Sequence, residues 1–361
     1  MKTLPWAALL CALAPLRANE LPSEYRDTLR KGLAWLARQQ KPDGRFEGVE
    51  GKYALSMTAL AGMAFLGEGS TMKEGRYRDS IRRAADWLMD RAQPNGLIGV
   101  ATREAEGGRY VYGHGFGLLF LASLAGEEDS ARRRERLMGI LERACKYSRD
   151  AQTSRGGWGY VSAKESDGFD EGSVTITQMQ ALRAARNAGV IVPGEAIRMA
   201  QRYLADSTLE DGGICYSLSL GKRPPGKPAL TAAAICCAFG AGEYGGEWVR
   251  KWLRFSRDRI GSPGSGRIGH DEYTRYYFAQ VAYVLGEDRH KKLDPEAKGD
   301  DLVTWKTHRK ALFDEYKRTQ SADGSWSNDS WTARLVGPVY VTACYLAVMQ
   351  LDKGALPIFQ R

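Results

Sequence analysis

Histidine is scarce in this chain, four in 361 residues, and the six cysteines include no pair spaced Cys-x-x-Cys. A zinc knuckle built on paired thiolates is thereby excluded. The spacing of Cys145, Cys215, Cys236, Cys237 and Cys344, two of them adjacent, speaks for buried thiols over a disulfide framework. Also missing are a phosphate-binding loop, a nucleophile elbow and a dinucleotide fingerprint, so no cofactor and no metal is implied. Beyond the first residues no apolar run approaches the ~20 residues of a membrane span, which leaves peripheral membrane contact at most. The net charge is +9, yet basic residues alternate with acids along helix faces, as in "RRRERLMGILERACKYSRD". That is the pattern of solvated helices and not of a nucleic-acid groove.

What is present begins with "MKTLPWAALLCALAPLRANE", in which Lys2 precedes an apolar run from Leu4 to Leu16 and the small residue Ala18. This predicts a secretory signal peptide over residues 1–18. Residues 19–361 are then expected to form a single exported domain, periplasmic or secreted.

Internal repeats dominate the remainder. "KGLAWLARQQKPDGRF" from Lys31 aligns without a gap on "RAADWLMDRAQPNGLI" from Arg83, and again on "RACKYSRDAQTSRGGW" from Arg143. Weaker copies start at Met199, run through "RKWLRFSRDRIGSPGSGRIG", and end in "QSADGSW" at Trp326. Each is followed by a second apolar segment such as "YALSMTALAGMAFLGEG" or "PALTAAAICCAFGAGEY". The unit is helix, glycine turn, loop, helix, glycine turn, repeated six times at roughly 50 to 60 residues. The first helix of each unit is amphipathic and the second is apolar on nearly all sides, hence buried. Buried second helices and the lack of a polar cap repeat favour closure into a ring over an open solenoid. The expected fold is all-α, an (α/α)6 toroid of six helical hairpins.

The residues Lys31, Gly32, Trp35, Leu36, Gln40, Gly44 and Phe46, matched by Arg143, Ala144, Tyr147, Gln152, Gly156 and Trp158, fit the repeat called the QW motif. The chain thus resembles the squalene cyclase and protein prenyltransferase superfamily over its whole mature length. Physically, the glutamine can bond backbone groups at a neighbouring helix end while the aromatic ring lies across it, tying one hairpin to the next. Gln40, Gln152, Gln320, Phe46, Trp158 and Trp326 are expected to be structural. The resemblance implies an apolar cavity inside the ring, with function where loops lead into the inner helices.

Squalene-hopene cyclases protonate an alkene through an Asp-x-Asp-Asp-Thr motif, and no Asp-x-Asp-Asp occurs here. The nearest approach is "DGFDEGSVT", carrying Asp167, Asp170 and Glu171, which as a bland reading is an acidic loop at a helix N-terminus. Prenyltransferases hold zinc through Asp, Cys and His, and Asp211 and Cys215 are too far apart for that pattern. His114 in "YGHGFG" and His270 in "GHDEYTRYY" stand at inner-helix starts, the latter beside Asp271 and Glu272. The catalytic candidates are therefore Asp170, Glu171, His270 and Asp271. Candidate ligand-binding residues are Tyr53, Tyr112, His114, Phe116, Tyr273, Tyr276 and Tyr277, with Tyr216, Trp331 and Tyr340 at the same junctions. Such aromatics line cavities, stabilise cations or stack on sugars, and also simply fill cores.

Three functions follow as alternatives. The first is an exported terpenoid-cyclase-like toroid binding an isoprenoid or other apolar small molecule. The second is a noncatalytic scaffold presenting its loops to an unknown protein partner. The third is a carbohydrate-active toroid enzyme, which needs two acids facing one cleft about 5 to 10 Å apart, drawn from Asp170, Glu171, Asp271 and Glu272.

Overall fold

The computed structural model describes residues 21–102, 104–261, 269–356 and 358. The signal segment expected over 1–18 and part of the glycine-rich turn of the fifth repeat lie outside these. Among the described residues there are thirteen α-helices and no strands. Six outer helices, α1 (Ser23–Arg38), α3 (Arg78–Met89), α5 (Ala131–Asp150), α7 (Gly194–Asp206), α9 (Glu247–Arg259) and α11 (Trp305–Thr319), alternate with six inner ones. The inner helices are α2 (Ala54–Glu68), α4 (Tyr110–Ser123), α6 (Gly172–Asn187), α8 (Pro228–Gly240), α10 (Asp271–Leu293) and α13 (Pro338–Met349). The short α12 (Trp331–Val336) leads into α13.

The two sets differ as their sequences require. Helix α1 buries Tyr25, Leu29, Leu33 and Leu36 on one stripe and leaves Arg30 and Lys31 in solvent. Helix α2 buries every residue from Leu55 to Gly67, so no face of it can meet water without exposing apolar surface. Successive inner helices pack side by side, and α13 packs on α2, closing the ring. The fold is an (α/α)6 toroid. No helix among the described residues is long and apolar enough to cross a membrane.

The joints between units repeat. Gln40 donates from one Nε2 to Gly44 O at 2.9 Å, within its own turn, and to Ser80 O at 2.9 Å, in the next outer helix. Gln152 does the same to Gly156 O (2.8 Å) and Ala196 O (2.9 Å). Gln320 bonds Gly324 O and, across the ring closure, Thr28 O, both at 2.9 Å. The turn glycines cannot be replaced. Gly324 has φ +99°, and a Cβ there would lie 2.6 Å from the Lys31 carbonyl of the following unit.

The aromatic rings at the third point of each joint are buried completely. Trp158 and Trp326 each donate from Nε1, at 2.7 Å, to a carbonyl of their own outer helix, Ser148 O and Tyr316 O. Their backbone N–H groups donate to Thr175 and Thr342 of the inner helix, both at 3.0 Å, as Phe46 does to Thr58 at 2.9 Å. In the first, third and sixth units the hairpin is thus locked to itself by a hydroxyl and to its neighbour by an amide.

Replacing Gln320 by alanine leaves two carbonyls of the closing joint without their donor, and should cost about 1–3 kcal/mol. Gln39→Ala, whose side chain makes only a 3.4 Å bond within its own helix, should change stability by less than about 0.5 kcal/mol. Urea unfolding of the two variants checks this, and equal losses would show that the joint does not carry the closure.

Candidate functional site

At the end of the ring where the inner helices begin, their first turns surround a cavity of about 740 Å³. Its wall takes Tyr53, Met57 and Leu60 from α2 and the residue before it, Tyr112 and Phe116 from α4, Leu230 from α8, Tyr273 from α10 and Tyr340 from α13. Residues of the loops and helix junctions, among them Glu106, Arg109, Tyr160, Glu171 and Lys227, also line it. Trp331 (57% exposed) and Tyr216 (37%), with His270, mark the side toward solvent.

The polar groups of the wall are mostly bonded to the protein itself. Tyr112 OH donates to Tyr273 OH at 3.4 Å, and the Tyr160 and Tyr216 hydroxyls lie 2.6 Å apart. Glu171 is the N-cap of α6 and accepts from Val174 N at 3.0 Å and from Ser173 Oγ at 2.5 Å. Glu106 reaches to the start of α2, in the preceding unit, and accepts from Leu55 N (2.8 Å), Ser56 N (3.2 Å) and Ser56 Oγ (2.8 Å). Each carboxyl thereby satisfies N–H groups that a helix leaves without partners in its first turn. Burial nevertheless pushes both carboxyls above the ordinary glutamate range, against the lowering effect of those donors.

Of the residues expected from sequence, Tyr53, Tyr112, Phe116, Tyr273, Glu171 and His270 line the cavity. The others are placed elsewhere. Asp170 precedes Glu171 in extended backbone, where successive side chains point to opposite sides. Its Oδ1 accepts from Tyr203 OH (2.9 Å), Ser217 Oγ (3.1 Å) and Leu218 N (2.8 Å), so it ties down the loop ahead of α8. Asp271 pairs with Arg275 one turn on, at 2.8 Å, and Glu272 accepts from Asn328 and Ser330; neither lines the cavity.

His114 is in the wall's interior and not on its surface. Its Nδ1 accepts from Ile98 N at 3.1 Å, the position that a threonine hydroxyl fills in the first, third, fourth and sixth units, and its Nε2 lies 3.0 Å from Ser148 Oγ. Accepting at Nδ1 leaves the proton on Nε2. Burial holds this imidazole neutral, its pKa lowered to about 4. Tyr277 sits below Tyr273, edge to face at 4.7 Å, with its hydroxyl donating to Gln180 at 3.1 Å, and Tyr276 packs edge-on against Tyr277. Both belong to the core. Among the described residues no group of three or more His, Cys, Asp or Glu is arranged to hold a metal ion, and Cys215 is a free thiol.

Glu106, Arg109, Tyr160 and Lys227 were not foreseen. A signal for the first was present, since Glu-Gly recurs ahead of three consecutive inner helices as Glu50-Gly51, Glu106-Gly107 and Glu171-Gly172. Glu50 is exposed and pairs with Lys52, whereas the other two line the cavity.

No family profile matches the chain. Over 89 residues it is 34% identical to human lanosterol synthase (Homo sapiens), a match covering 25% of this chain and 12% of that relative. An alpha-1,6-mannanase of family GH76 from Salegentibacter sp. HEL1_6 superposes with a TM-score of 0.61 at 9% identity, covering 92% of this chain and 99% of that one. The type II terpene cyclase MstE from Scytonema gives 0.56 at 13% identity, covering 93% and 98%. An alpha-amylase from Clostridium perfringens gives 0.56 at 11%, covering 90% and 97%. At such identities the structural likeness establishes the toroid fold.

The raised carboxyls make a pH prediction. A carboxyl whose folded pKa lies above its unfolded value stabilises the fold fully below the unfolded value, and that contribution is lost as pH rises through the folded value. The stability of the wild type relative to Glu106→Gln or Glu171→Gln should therefore fall as the pH rises above the ordinary glutamate pKa of about 4.3, by at most about 1.4 kcal/mol per pH unit for each group. Denaturant unfolding across that rise reads it, and a flat difference would contradict the desolvation of these groups.

Proposed function

We propose that this chain binds an apolar, isoprenoid-like small molecule in the central cavity of its toroid. The observation that carries this reading is the character of the wall. A space of about 740 Å³, within the ~300–1,000 Å³ of small-molecule sites, is bounded by hydrocarbon and aromatic faces whose hydroxyls and carboxyls are mostly bonded to the protein. An apolar ligand gains from such a wall without competing for its hydrogen bonds. A sugar would need many more free donors and acceptors than the Arg109 and Lys227 side chains offer to replace its own hydration.

Binding fits this site better than cyclisation of an alkene. Protonating a carbon–carbon double bond calls for an unusually strong acid, whereas burial makes Glu106 and Glu171 weaker acids than an ordinary glutamate. The proposal includes export of the mature chain, which puts the ligand outside the cytoplasm. One observation favours a carbohydrate-active alternative. Two carboxyls, Glu106 and Glu171, face the same cavity, and exposed Trp331 offers a stacking face at its mouth.

Titrating the full chain with farnesol and, separately, with alpha-1,6-mannotriose, followed by intrinsic fluorescence and calorimetry, distinguishes the readings. Farnesol should bind saturably and the trisaccharide should not. Leu60→Trp, which fills the cavity from α2, should weaken farnesol binding by about tenfold or more. Saturable mannotriose binding with no response to farnesol would overturn the proposal in favour of the carbohydrate reading.

A further inference from the structure

Two cations stand out among the groups of the cavity wall. Arg109 and Lys227 both line it, each half-buried. Among the described residues neither has a carboxylate within 4.0 Å, although cations elsewhere on this surface are commonly paired, as Arg254 is with Asp294 and Arg309 with Asp352. The two acids of the cavity form no ion pair with them, although Glu171 lies near enough to feel the charge of Arg109. Glu106 and Glu171 spend their oxygens on the first turns of α2 and α6.

Local helix energetics does not account for these cations. Arg109 and Lys227 occupy the N-caps of α4 and α8, and neither side chain caps its helix. Ser, Thr, Asp or Asn is preferred there, and the positive end of the helix dipole opposes a cation. A residue that breaks a local rule without local compensation is expected at a functional position. Arg109 is also held in place, with its guanidinium over the Tyr160 ring at 4.6 Å. A guanidinium is always protonated, and it presents a fork that fits phosphate or carboxylate oxygens.

We infer that the ligand of this cavity is an amphiphile, with an apolar chain held among Met57, Leu60, Phe116 and Leu230 and an anionic head group, phosphate or carboxylate, held by Arg109 and Lys227. This rests on the reading of the cavity as an apolar-ligand site and adds the chemistry of the ligand's other end. An anionic head group beside these cations makes hydrogen bonds in which both partners are charged, and these are stronger than the bonds the same cations donate to a neutral alcohol.

The test compares farnesol, farnesyl monophosphate, farnesoic acid and inorganic phosphate as probes of the full chain, each below its aggregation threshold, by calorimetry. The two anionic lipids should bind about tenfold or more tighter than the alcohol, and inorganic phosphate alone should bind weakly. Arg109→Gln and Lys227→Gln should each remove most of that preference, lowering affinity for the anionic lipids more than for farnesol, and Arg109→Lys should restore part of it. Thermal unfolding of each variant separates loss of fold from loss of charge. Equal affinity for alcohol and anions, unchanged preference in both glutamine variants, or phosphate binding as tightly as the lipids would overturn the inference. If farnesol binds and only the preference is missing, this inference alone fails; if no lipid binds, the apolar reading fails with it.

Discussion

The rest of this structure depends on the joint between neighbouring hairpins, in which one glutamine amide holds its own glycine turn and grips the next outer helix. From a single Nε2, Gln40, Gln152 and Gln320 each satisfy two carbonyls that otherwise lie at helix margins. Because Gln320 reaches Thr28, the same device joins the last unit to the first. Closure matters because the inner helices have no polar face. An open row of six hairpins would leave α2 and α13 with apolar flanks in water, and packing them on each other removes that surface.

Closure also creates the site. Around the axis, the first turns of the inner helices and the loops that enter them leave a space that side chains do not fill. The helix starts bring N–H groups to this end of the ring, and the protein answers two of them, at α2 and α6, with carboxyls that line the cavity. The same end carries Arg109 and Lys227 without ionic partners among the described residues. The resulting wall combines apolar and aromatic side chains with two cations.

Asp170 and Glu171 show why sequence position alone does not select a site. They are neighbours in one acidic loop, yet extended backbone turns one toward the loop ahead of α8 and the other into the cavity. His114 shows the same limit differently. Its place at an inner-helix start suggested a ligand contact, but in the second unit the imidazole substitutes for the threonine hydroxyl that accepts the turn's N–H in other units. Glu106 was overlooked because its partners, Leu55 and Ser56, belong to the preceding unit, some 50 residues away.

The helical periodicity, the recurrence of glycine turns and the contrast between amphipathic and wholly apolar segments were readable in the chain, and they were enough to specify six hairpins closed into a ring. These features act over one or two helical turns, where residue spacing is spatial spacing. Which side chains meet in the cavity was decided only by tertiary structure. The meeting of Glu106 with α2, of Arg109 with Tyr160, and of α13 with α2 depends on how whole units rotate against one another, and no local rule encodes that rotation.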